Sequence, residues 1–311
     1  MTIDVHGHVT SPELFKRFPM PPSLADIDGM VERKAELGIE TTIVGSPVGA
    51  GTMVPVPGID NYGQSVDTLE EFHDWVAETV RSHPGRLKGY VYLNPLDGAD
   101  AVERAANRLR QEEFVGLIVN TSVRGQFLDD DRADDFFAMA ASTGAPILLH
   151  PPAVPVAAES MKFVGAVEHV VRPCDITMGV AAILFAGWLR KYPALKLIVP
   201  NAGGALSLLR EKLDMAQRRD GIDGPPISEQ LRLINVDTAT PSPVALAAAL
   251  EVFGPERMLF GTDSPPLATP LDAAVAAIDR LPLSDVDRAR IFDGNARALF
   301  GLEARELRRA S

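Results

Sequence analysis

Pro146-Ile147-Leu148-Leu149-His150 is the stretch from which the fold is read. It is an apolar run without polar alternation, it ends on a histidine, and Pro151-Pro152 stops it. Such a run suits a strand buried on both faces, as in a parallel sheet covered by helices. The same pattern recurs at Ile3–His6, Thr41–Gly45, Lys88–Leu93, Gly116–Asn120, Lys196–Asn201, Arg232–Asp237 and Arg257–Asp263. Amphipathic helical patterns alternate with these runs: Leu24–Leu37, Asp67–Ser82, Ala99–Glu112, Ala133–Thr143, Thr177–Lys191, Ala205–Arg219, Pro243–Phe253 and Leu271–Leu281, with a last helix from Ser284 to Phe300. Eight strands, each followed by a helix, predict an α/β fold, a (β/α)8 TIM barrel. An open doubly wound sheet is the rival. The placement of polar residues favours the barrel: His6, Asn120, His150, Asn201, Asp237 and Asp263 all fall at the C-terminal ends of their strands, and only a barrel gathers those ends on one face.

The bulk properties agree. A chain of 311 residues suits one such barrel, and residues 1–311 are read as a single domain. The net charge of −12 repels phosphate backbones, so nucleic acid is not an expected partner. One cysteine, Cys174, excludes a disulfide framework and a cysteine-built zinc site. There is no pattern of a signal peptide, and the most apolar stretch, Ile176 to Leu189, is too short for a membrane span and is closed by Arg190 and Lys191. The expectation is a cytoplasmic enzyme with a small-molecule substrate and no membrane partner. The segment Ser46–Gln64, with three prolines and four glycines, is read as an insertion loop, and loops of this length inside a domain often serve as lids or binding loops.

The chemistry-bearing residues start with His6-Gly7-His8. On a strand, residues i and i+2 share a side, so two imidazoles at a strand end can grip one cation. His150 ends the fifth strand and Asp263 the eighth. A buried carboxylate is costly without a partner, and a cation is such a partner. Three imidazoles and one carboxylate suit a divalent metal, Zn2+ first and Mn2+ as an alternative, with an open position for substrate. Asp237 is read either as a proton carrier or as a hydrogen-bond partner for a strand end. Asn120, Arg124 and Arg172 are the candidate substrate contacts, the two arginines as an anion clamp. His73, His83 and His169 are read as surface residues.

Several segments resemble one family: Asp4-Val5-His6-Gly7-His8, the run Lys191 to Leu197, Gly203-Gly204-Ala205, Leu259-Phe260-Gly261-Thr262-Asp263, and Asn295 to Leu302. Together they resemble the amidohydrolase superfamily, in its aminocarboxymuconate-semialdehyde decarboxylase-like (amidohydrolase-2) branch. The resemblance implies a barrel with one divalent metal on His6, His8, His150 and Asp263, and a homodimer. It also implies non-oxidative decarboxylation of a small unsaturated or aromatic acid; the alternative is a metal-dependent hydrolase or cyclase acting on a neutral carbonyl compound. The sequence departs from the family at Asn201, where a histidine that moves a proton is expected. An amide has no accessible pKa and cannot be a base, although it can orient a substrate oxygen. Proton transfer then falls to Asp263 or Asp237. A retired barrel kept for binding is the third reading, and the intact donor set argues against it.

Overall fold

A computed structural model describes residues 2–266 and 270–302. Eight parallel strands follow one another around a sheet in sequence order. They are β1 (Thr2–His8), β2 (Ile39–Gly45), β3 (Leu87–Tyr92), β4 (Phe114–Asn120), β5 (Ile147–His150), β6 (Leu197–Val199), β7 (Asn235–Asp237) and β8 (Met258–Leu259). The ring closes where Val5 N donates to Phe260 O at 3.0 Å, joining the first strand to the residue after the last. The protein is therefore a (β/α)8 barrel, and every expected strand is present. The last three are shorter than the sequence suggests: β6 and β8 stop before Asn201 and Asp263, whereas β7 reaches Asp237 but starts late, after a helical turn at Leu231–Leu233.

Two apolar layers hold the barrel. Inside it, Ile3, Val5, Ile43, Tyr90, Ile118, Leu148, Ile198 and Leu259 fill the lumen, and Phe300 from helix Asn295–Phe300 joins them. Outside it, a larger layer lies between strands and helices, with Val44, Val91, Leu117 and Leu149 facing residues such as Val76, Phe136 and Ile183. This two-sided burial is why the strands read as unbroken apolar runs.

β1 departs from simple alternation. Asp4 pairs with Thr42 and Gly7 with Val44, so three steps along β1 match two along β2. This bulge carries one extra residue. Ile3 and Val5 face the lumen, Asp4 faces Lys34 in the helix Ile27–Glu36, and after the bulge His6 and His8 meet His150 at the mouth. Gly7 lies on the helix side, where a Cβ would come within 2.7 Å of the Thr42 side chain.

One helix starts well before its expected position, and another buries a residue expected at the surface. The helix expected from Thr177 begins earlier: residues 164–186 form one helical run with a π turn at Val167–Val171. The run is long and apolar enough to cross a membrane, but its far half is a core helix of the barrel, burying Ile176, Val180, Ile183 and Leu184. Buried Asp175 accepts hydrogen bonds from the Thr121 and Ser122 hydroxyls and from Val156 N. His73 is a correction: it is buried, and its Nε2 accepts from Tyr92 N at 3.1 Å. Leu69, Phe72, Val76 and Val80 share its helix face, which packs on the barrel.

Candidate metal centre

His6, His8, His150 and Asp263 meet at the C-terminal mouth of the barrel. One ligand atom from each lies within 4.8 Å of all the others. His6 Nε2 is 3.1 Å from His8 Nε2, and Asp263 Oδ1 is 3.0 Å from His8 Nε2 and 3.4 Å from His6 Nε2.

The opposite edge of each imidazole is fixed. His6 Nδ1 donates to Asp237 Oδ2 at 2.6 Å, His8 Nδ1 to Gly45 O at 3.2 Å, and His150 Nδ1 to Pro151 O at 2.8 Å. A proton committed to each Nδ1 leaves the Nε2 lone pairs to converge beside a carboxylate. Electron-rich atoms this close repel one another unless a cation or a proton sits among them. Separations of about 3 Å also suit ligands around an ion at bond lengths of roughly 2.0–2.2 Å. The donor set therefore fits a divalent metal.

The protonation equilibria reflect the same crowding. Burial opposes a charge on His6, but the carboxylates of Asp263, Asp237 and Asp4 outweigh it and raise its pKa to about 9. Burial, with His8, His6 and Arg172 nearby, pushes His150 well down. Burial works against the Asp263 charge too, yet His6 and His8 prevail and hold that carboxyl well below the usual carboxylate range.

A further set of side chains supports the donors from behind. Asp4 is fully buried and takes four hydrogen bonds. Oδ1 accepts from His6 N and Thr262 N, both at 3.0 Å, and Oδ2 accepts from Lys34 Nζ and Thr262 Oγ1, both at 2.6 Å. It thus ties the backbone carrying His6 to the backbone just before Asp263. Sequence reading assigned no role to Asp4, Lys34 or Thr262. The available signal was a lysine spaced i+4 from buried Met30 and an aspartate inside an apolar strand. Asp237 is saturated in the same way: beyond His6, its Oδ1 accepts from Asn201 N at 2.8 Å and from Ala239 N at 3.0 Å. Gly261 makes this packing feasible, because a Cβ there would stand 2.9 Å from the Asp237 Cβ and 3.2 Å from the His6 Cβ.

A cavity of about 840 Å³ opens beside the cluster, and its wall includes His150, Asp263, Asn201, His169 and Arg172. Arg172 Nη1 donates to Pro152 O at 3.1 Å, and its Nε lies 3.4 Å from Glu168. Asn201 adopts a positive φ of 54° in the turn after β6. Arg124 is placed elsewhere: it is exposed, paired with Asp60 at 2.6 Å, and lies over the Tyr62 ring. Asn120 is buried and accepts from Tyr62 Oη at 3.0 Å, so it anchors the insertion loop at this face. Within that loop, Asn61 and Gln64 bond across to Thr52 and Ala50 and hold it in a fixed shape.

A (β/α)8 barrel with three imidazoles and a carboxylate converging at its C-terminal mouth has the architecture of a divalent-metal enzyme. The family model described as Amidohydrolase matches residues 3–302, and the chain belongs to that family. Among curated proteins, it is 27% identical to the gamma-resorcylate decarboxylase of Polaromonas sp. strain JS666, over 90% of this chain and 89% of that protein. It is 25% identical to the 6-methylsalicylic acid decarboxylase of Penicillium expansum, over 85% of this chain and 84% of that one. Among solved structures, a dihydroxybenzoic acid decarboxylase from Polaromonas sp. JS666, with bound manganese and the inhibitor 2-nitroresorcinol, superposes with a TM-score of 0.80 at 23% identity, covering 99% of each chain.

Proposed function

We propose that the protein is a metal-dependent carboxy-lyase that removes CO2, without an oxidant, from a small aromatic carboxylic acid. The observation that carries this reading is the convergence of His6, His8, His150 and Asp263 beside a cavity walled by Arg172 and Asn201. The two curated relatives, both named as decarboxylases of aromatic acids, support the substrate class.

Held by these four residues, a divalent ion supplies Lewis acidity to a substrate carboxylate and a neighbouring oxygen. The chain's own residues do the rest. Arg172, fixed by the Pro151 and Pro152 carbonyls, presents positive charge to the anionic substrate. Asn201 offers an amide hydrogen bond to a substrate oxygen from a turn held by Asp237. Asp263 serves as a ligand and as the acid that delivers a proton to the substrate carbon that loses CO2. Asp237 reaches only His6 and backbone amides, and so acts as a positioning residue. Asn120 shapes the site through Tyr62. Arg124 pairs with Asp60 at the surface and is given no role in this reading.

The donor set accepts Zn2+ or Mn2+, and the manganese of the Polaromonas structure supports Mn2+ as strongly as the nitrogen-rich set supports Zn2+. Lone, exposed Cys174 suits a reducing compartment, so the cytoplasm is the proposed location. A homodimer is part of the reading: helix Leu206–Arg219 exposes Leu208 and Met215, and sedimentation analysis of the purified protein tests it.

The decisive experiment loads the purified protein with Mn2+ or Zn2+ and measures CO2 release from a panel of hydroxybenzoates and muconate-type acids. Turnover of a hydroxybenzoate, lost in His6→Ala/His8→Ala, is the expected result. No release from any acid moves the reading to hydrolysis of a neutral carbonyl compound.

A further inference from the structure

The cavity beside the donors is much larger than the single ring that the carboxy-lyase reading requires. Its volume is about 840 Å³, whereas a chamber of roughly 150 Å³ already takes benzene. Cavities of about 300–1,000 Å³ enclose molecules several times the size of one ring. A benzoate with its hydroxyls therefore leaves most of this space unfilled.

The lining is divided by chemistry. Its ionisable groups stand at one edge: His150 and Asp263 at the strand ends, and Glu168, His169, Arg172 and Cys174 on the helical run after β5. Among the described residues, the segments after β6 and β7 and the helix Leu271–Asp279 bring no ionisable group to the wall. They bring Ala205, Ala239, Pro241, Ala245 and Ala274 instead. The hydroxyls on that side are spent on backbone. Thr238 Oγ1 donates to Gly261 O at 3.3 Å and accepts from Gly261 N at 3.1 Å, and Thr240 Oγ1 accepts from Ser242 N at 3.3 Å. Arg172 is the only arginine or lysine among the described lining residues. A second carboxylate on the substrate, far from the donors, would lose its hydration and find no cation there, which is costly. An apolar group loses nothing at such a wall and gains by leaving water.

We infer that the substrate is an aromatic monocarboxylic acid carrying an alkyl chain, a class that rests on the carboxy-lyase reading above. The carboxylate and ring occupy the charged edge, beside His150, Asp263 and Arg172. The chain lies in the uncharged part of the cavity, against Ala205, Ala245 and Ala274, whose side chains end at Cβ and leave room for it. Ala245 stands in the first turn of helix Pro243–Phe253 and Ala274 in helix Leu271–Asp279, so two separate helices bound the chain's space.

The test uses the metal-loaded full-length protein and two series of compounds. The first is 4-alkyl- and 6-alkyl-2-hydroxybenzoates with methyl, propyl or pentyl chains, followed by CO2 release. The second is the 3-alkylphenols, which have no carboxylate to lose, followed by calorimetric binding. In at least one acid series kcat/KM is expected to rise by roughly two- to fourfold per added carbon, and phenol affinity to rise in step. Ala245→Phe and Ala274→Leu fill the chain's space, and each should cut the pentyl-over-methyl ratio by roughly tenfold. Because the readout is a ratio, a general loss of activity or of folded protein does not mimic it. Values that stay flat or fall with chain length in both acids and phenols overturn the inference, as does a ratio unchanged in both variants. Phenol affinity that climbs with chain length and collapses in the variants, with no CO2 from any acid, is a distinct result: it keeps the alkyl site and defeats the carboxy-lyase reading alone.

Discussion

Lys34 Nζ lies 2.6 Å from Asp4 Oδ2, with both side chains buried between the barrel and the helix behind β1 and β2. Removing one partner of a buried pair leaves an uncompensated charge and costs about 3–5 kcal/mol. Lys34→Met is therefore expected to lower the unfolding free energy by that order. The double variant Asp4→Asn/Lys34→Met should recover part of the loss, because no unpaired charge remains. Chemical denaturation of the four proteins in a mutant cycle measures it.

Asp237 offers a sharper test of positioning. Its two oxygens accept from three N–H groups. In Asp237→Asn, the amide NH2 must face either His6 Nδ1–H or the amides of Asn201 and Ala239, a donor against a donor in both cases. Loss of an outer partner of a ligating histidine typically costs 10–100-fold in metal affinity. Chelator competition should show a drop of about that size, while the folded content seen by circular dichroism stays near wild type.

The strand-end ligands were legible because a strand buried on both faces leaves a largely apolar run whose polar last residue stands out. His6, His150 and Asp263 are such residues. The supporting groups were hidden for the opposite reason. Lys34 sits among Glu32, Arg33 and Glu36 on a helix whose charges read as a solvent face, and nothing local says that one of them turns inward. His73 was misread although its neighbours at helical spacing are apolar, which shows that burial of a histidine follows its helix face more than its polarity. The bulge in β1 and the π turn before Arg172 each involve one extra residue, and periodicity over short windows does not resolve a single insertion.

Metal and proton compete at His6. In the metal-free protein its pKa is raised from 6.5 to about 9. A raised pKa in the folded state contributes stability that is fully present below the unfolded value and is lost as pH rises through the folded one. The melting temperature of chelator-treated protein should thus decline between pH 6.5 and about 9, and the metal-loaded protein should lack this decline. Binding needs the bare Nε2, so loading at pH 7 should release about one proton per chain. Calorimetry in two buffers of different ionisation enthalpy reads that proton directly.

Gly261 has no room for a methyl group. A Cβ at 2.9 Å from the Asp237 Cβ forces β7 and β8 apart at their C-terminal ends. Gly261→Ala is expected to cost about 1–3 kcal/mol through overpacking, and to weaken metal binding because His6 and Asp237 move with it. Denaturation and metal titration of the same sample should show both losses together.

Three of the four donors come from the two ends of the barrel's circuit: His6 and His8 from β1, and Asp263 from the segment after β8. Val5 N and Phe260 O bridge that same seam. A bound ion accordingly acts as a clasp on the joint where the cylinder shuts, and it cannot assemble until the last strand has docked on the first. Its contribution belongs to the escape from the native state rather than to the climb towards it. The loaded protein should unfold more slowly than the metal-free one while refolding at nearly the same rate.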